Sequence, residues 1–170
     1  MLKILNKINK SLCICLILAS FCTYRVAEPK ELPVEYVELQ CLTELLFYEG
    51  RGTKYEGMLA IAHVVQNRAL QKSEYFCTIS KEKSQFSFHK DKHKQVVRRD
   101  SKADTEAFNL AEYVALGVQE ERLLSPFKRD SKGVMWYHSA KIPRPSWTSK
   151  MQVQYTDRWH IFYSKRKETK

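Results

Sequence analysis

Long apolar runs are absent from this 170-residue chain. No stretch reaches the ~18 consecutive apolar residues of a membrane-spanning helix, which excludes a polytopic membrane protein. Glycine and proline are scarce, five of each, so collagen-like and low-complexity chains are excluded. Cysteine is sparse too, five in all, too few for a small domain held by a disulfide framework. Acids are in deficit, 19 Asp and Glu against 29 Lys and Arg, for a formal charge of +10. What is present is a hydrophobic fraction of 44%. That suffices for a real core in one domain of ordinary size and argues against disorder. A charge this basic points to an anionic partner: nucleic acid, a membrane surface or an acidic cell-wall polymer.

The amino terminus narrows the choice. Lys3, Lys7 and Lys10 precede the short apolar run Leu12 to Cys22, which ends in small residues. This is the order of a secretory signal, and the run is too short to cross a bilayer as a helix. Ser20 and Cys22 stand at −3 and −1 of a cut after Cys22; an uncleaved anchor is the alternative. We assign residues 1–24 to the signal or anchor, 25–34 to a linker, 35–164 to a catalytic domain and 165–170 to a charged tail. Export to the periplasm, cell wall or exterior follows, with transient membrane contact through the signal, no nucleic-acid partner and a monomeric state. Without residues 1–24 the chain is still +7. The cut leaves Cys41 and Cys77, which either pair in an oxidising compartment or stay buried and reduced.

Three helices are expected. Tyr36, Val37, Leu39, Leu42, Leu45, Leu46 and Phe47 recur at helical spacing from Glu35. Gly50-Arg51-Gly52 stops that helix. A second runs from about Lys54 to Leu70, and a third starts near Ser101, where Ser101 and Asp104 resemble a capping box. Residues 72–100 show no sustained period. Val134–His138 and Trp159–Tyr163 read as short β segments, with a rigid loop at Pro143–Trp147 between them. The fold class is mainly helical α+β with a small late β element.

Glu49 ends the first helix beside Leu and Phe residues. Desolvation there favours the protonated carboxyl, the form a general acid needs to cleave a glycosidic bond. The plain alternative is a helix-end Glu paired with Arg51.

The run Leu42 to Arg68, LTELLFYEGRGTKYEGMLAIAHVVQNR, resembles the opening motif of the spore-cortex-lytic, SleB/CwlJ-type cell wall hydrolase family. Gln85-Phe86-Ser87-Phe88 resembles that family's aromatic block. Trp136-Tyr137-His138-Ser139-Ala140, Pro145-x-Trp147 and His160-x-Phe162-Tyr163 resemble its carboxy-terminal signature, with Asp157-Arg158-Trp159 replacing an aromatic-glycine segment. The resemblance implies a lysozyme-like, transglycosylase-related fold that acts on peptidoglycan glycan strands without a cofactor or metal. It implies Glu49 as catalytic acid and base at the MurNAc–GlcNAc bond, in a lytic transglycosylase that suits a phage lysis protein or a wall-remodelling enzyme. Substrate contacts are expected from Gln85, Phe86, Ser87, Tyr137, His138 and Trp147, because rings stack on sugar faces and polar groups bond their edges. Core packing is the alternative for Phe86 and Phe88. Asn67 and Arg68 read as structural, bonding loop carbonyls, with substrate contact as the alternative.

His89 and His93 have HxxxH spacing, and His138 and His160 lie on the two β segments. They carry a competing possibility, a zinc-dependent wall amidase or peptidase. Basic residues at 90, 92, 94, 98 and 99 suit either a solvated loop or attraction to anionic cell-envelope polymers. A non-enzymatic polyanion-binding module is the third possibility.

Overall fold

The apolar spacing of residues 34–72 builds two helices joined by a turn, and the rest of the fold gathers around the second. The computed structural model describes residues 32–82, 86, 99–127 and 133–166. Apart from Leu32, these belong to one compact unit, Pro33–Lys170. The signal, Gln85, Ser87, Phe88, His89, His93 and most of the basic loop lie outside the described residues.

Helix α1 is Val34–Gly50 and helix α2 is Tyr55–Lys72. The turn between them closes on one carbonyl: Gly50 O accepts from the Thr53 amide at 2.8 Å and from Thr53 Oγ1 at 2.7 Å. Of the apolar positions on α1, Leu42, Leu45, Leu46 and Phe47 are buried, whereas Tyr36 and Val37 stay exposed at its start. Every residue of α2 from Gly57 to Val65 is buried. A helix apolar on all sides belongs in an interior, and α2 touches α1, α3 (Phe76–Ser80), α4 (Lys102–Gln119) and strand β1 (Val134–Ser139).

Ser101 caps the start of α4, and the Asp104 side chain bonds the Ser101 hydroxyl rather than completing the box at its amide. Ser101 Oγ accepts from the Asp104 amide at 3.1 Å and donates to Asp104 Oδ2 at 2.8 Å. Cys41 on α1 and Cys77 on α3 form a disulfide with Cα atoms 5.1 Å apart, which decides between the two states left open for them.

Two elements go beyond the sequence reading. Helix α3, five residues long, lies in the stretch without a sustained period; one turn and a half is too short to show periodicity. Strand β2, Met151–Thr156, joins the two expected β segments, and β3 is His160–Lys165. The sheet is antiparallel with order β1-β3-β2. Tyr137 and Tyr155 both face Phe162 across the central strand. Residues 146–150 of the Pro-flanked loop form a 3-10 turn.

Asn67 and Arg68 tie α2 to β1. Asn67 Nδ2 donates to Val134 O at 3.0 Å, and Arg68 Nε to Met135 O at 2.7 Å. They are structural, as read, but their partners are strand carbonyls, not loop carbonyls. Among the described residues no helix is long and apolar enough to cross a membrane.

Candidate active site

The end of α1 and the start of the sheet meet at Glu49. Its carboxyl is half-buried, and Tyr137 Oη on β1 donates to Glu49 Oε2 at 3.2 Å. The alternative pairing with Arg51 does not form: Arg51 pairs with Asp104 and its guanidinium lies over Phe47. Burial pushes the Tyr137 phenol well above its ordinary value of 10, and the neighbouring Glu49 charge adds to that. The phenol therefore keeps its proton at any working pH and remains a donor.

Behind Tyr137 stands His160, ring edge to ring face with centroids 5.3 Å apart. His160 follows a turn built on Asp157, whose Oδ1 accepts the amides of Trp159 and His160 at 2.6 and 2.5 Å. Such a turn is a usual service of Asp. Asp157 Oδ2 and His160 Nδ1 are 3.8 Å apart, and neither has a hydrogen-bond partner. Burial lowers the His160 pKa; Asp157 opposes this and His138 adds to it. Asp157 also explains Gly57: a Cβ there would sit 2.3 Å from Asp157 Oδ2.

On the other side of Tyr137 opens a cavity of about 470 Å³, lined among others by Arg68, Trp136, Tyr137, His138, Trp147 and Met151. Trp147 is 38% exposed and stands at its rim. Its ring meets those of His138 and Tyr163 edge to face, with centroids 6.0 and 5.4 Å away. Arg68 is only 8% exposed, its guanidinium 5.5 Å from the Phe86 ring centre.

Tyr137 thus links Glu49 to a cavity whose lining includes His138 and Trp147. Two expected sugar contacts need correction. Phe86 is 1% exposed and packs in the core beneath Arg68, so its face is not available to a pyranose. His138 is buried, with Nδ1 2.8 Å from Ser139 O and Nε2 2.9 Å from Tyr163 Oη. With both nitrogens engaged it shapes the cavity wall and has no free edge for a sugar or a metal ion. Among the described residues no group of three His, Cys, Asp or Glu is placed to hold a metal. In the sequence Asp157 stands out only as part of the Asp157-Arg158-Trp159 replacement, not as a turn former; its position three residues before His160 is the signal for that role.

The sequence model of the Cell Wall Hydrolase family matches residues 52–163, well over half of the chain. The chain belongs to that family, and its general activity is the degradation of peptidoglycan. Glu49 lies just before the matched span. No curated protein and no solved structure matches the chain.

Proposed function

We propose that the protein cleaves the glycan strand of peptidoglycan between MurNAc and GlcNAc as a lytic transglycosylase, with Glu49 as general acid and then base. The observation that carries this is the bond to the half-buried Glu49 from Tyr137, a residue that also lines the aromatic cavity. Glu49 gives its proton to the bridging oxygen as the bond from C1 to that oxygen breaks. The 6-hydroxyl of the same muramic acid then attacks C1, and its proton passes to the Glu49 carboxylate. The product is a 1,6-anhydro end, and no water is consumed.

A hydrolase of the usual two-carboxylate kind needs a second acid about 5–9.5 Å from the first. Asp157 is committed to its own turn through Oδ1. Glu56 is an exposed residue in the first turn of α2, where the helix dipole favours a carboxylate. Both observations support the single-acid route. The residue order of 1–24 and the Cys41–Cys77 disulfide support export to an oxidising compartment, where such a bond persists.

The test is mass spectrometry of digested peptidoglycan, with Glu49→Gln in parallel. Anhydro-muramyl ends are expected from the native protein. Glu49→Gln should lose about 10²- to 10⁴-fold in rate while keeping its melting temperature. Reducing ends would make the enzyme a hydrolase, free stem peptides would make it an amidase, and undiminished lysis by the variant would remove Glu49 from the chemistry.

A further inference from the structure

Arg68 has more donors than the fold uses. Nε serves the Met135 carbonyl, Nη1 is buried with no hydrogen-bond partner, and among the described residues Arg68 has no ion pair. Burial holds the Arg68 guanidinium below its ordinary value; Tyr137 and Glu82 offset this only in part, and Glu82 is itself paired with Lys72. Bonding β1 does not require an arginine, since Asn67 does the same for Val134 with a neutral amide. Arg68 also lines the cavity that Tyr137 shares with Trp136 and Trp147. That cavity thus combines a cationic residue with aromatic rings, and its Tyr137 bonds the proposed acid.

We propose that this cavity is a subsite for a carboxylate carried on the muramyl stem peptide, with Arg68 as its anion-binding residue. The inference rests on the reading of the chain as a peptidoglycan glycosidase. Wall glycan is uncharged along its sugar ring faces; its carboxylates hang from the lactyl-linked peptide. A planar guanidinium presents parallel N–H groups that match a carboxylate's two oxygens, which an ammonium cannot do. The rings of Trp136 and Trp147 supply apolar surface for the aliphatic part of the stem or for the sugar that bears it. Seating the stem there would set the strand's register against Glu49, because Tyr137 borders the cavity and bonds the acid.

The test compares native sacculi with sacculi whose stem carboxylates have been amidated, using inactive Glu49→Gln protein in a sedimentation binding assay and active protein in turnover. Tighter binding to native than to amidated wall is expected, by about tenfold, and about tenfold higher KM on amidated strands with kcat little changed. Arg68→Met should bind both walls equally and weakly, while Arg68→Lys should recover only part of the preference. Lys102→Met removes the same charge from an exposed side chain on α4 and should keep the full preference. Equal affinity of Glu49→Gln protein for the two walls would overturn the subsite, and that outcome needs no Arg68 variant to fold. So would a preference shared by Arg68→Met, or one that Lys102→Met abolishes. Binding is read without turnover, so the glycosidase reading fails separately, on the product ends released by the active protein.

Discussion

Glu49 and Tyr137 are 88 residues apart in sequence and meet through one hydrogen bond. Neither residue is unusual by type; the proposed chemistry rests on their pairing. Tyr137→Phe keeps the ring against His160 and Phe162 and removes one donor to a carboxylate. Such a bond contributes up to about 1.5–3 kcal/mol to the folded state, so stability should fall by no more than that, and loss of the carboxyl's orientation should lower kcat by about ten- to a hundredfold. Steady-state kinetics on solubilised glycan checks it, and an unchanged kcat would strip the phenol of its orienting role. Gly57 is constrained by contact, not by backbone angle, since its φ is not positive. Gly57→Ala would drive a methyl into Asp157 Oδ2 and Thr53 Cβ. Overpacking of this kind costs about 1–3 kcal/mol, read as a lower denaturant midpoint; a midpoint equal to the native one would show that Asp157 gives way freely.

At the scale of elements, helices α1, α2 and α4 were legible because each is long enough for several turns of apolar spacing and has a visible stop or cap. Ser101 and Asp104 marked the start of α4 correctly. Strand β2 was missed although Met151, Val153 and Tyr155 alternate with Gln152, Gln154 and Thr156. As an edge strand it is mostly unburied and lacks the continuous apolar run that revealed β3. Helix α3 is only five residues long, and the disulfide fastens it to α1 across 36 residues of chain. A loop of that length implies about 2–4 kcal/mol of stabilisation on cross-linking. Reduction, or the double change Cys41→Ser with Cys77→Ser, should lower the unfolding free energy by that amount. Chemical denaturation with and without reductant measures it, and coincident curves would mean the bond constrains nothing.

For the molecule as a whole, two buried histidines set a limit on acid tolerance. His63 and His160 are both pushed below the ordinary value of 6.5, chiefly by burial. Gln66 and the Leu123 carbonyl oppose this at His63, and Asp157 opposes it at His160. Between the ordinary value and the lowered one, the unfolded chain binds more protons than the folded chain. Their contribution to stability is thus complete above pH 6.5 and is lost as pH falls through that window. Thermal melts at about pH 7.5 and about pH 5.5 should show a lower Tm at the acid end. Equal values would mean that neither ring is desolvated in solution.

The sequence by itself determined the order and type of the long helices, the late β element, the family and the position of Glu49 at the end of α1. Those depend on local periodicity and on motif residues close together in the chain. Only the tertiary structure decided which residues stand beside that acid. It buried Phe86 under Arg68, engaged both nitrogens of His138, joined Cys41 to Cys77 and left Arg68 with donors to spare. Burial and hydrogen-bond saturation depend on residues brought together from distant parts of the chain. They become fixed only when α2, α4 and the sheet close around one another.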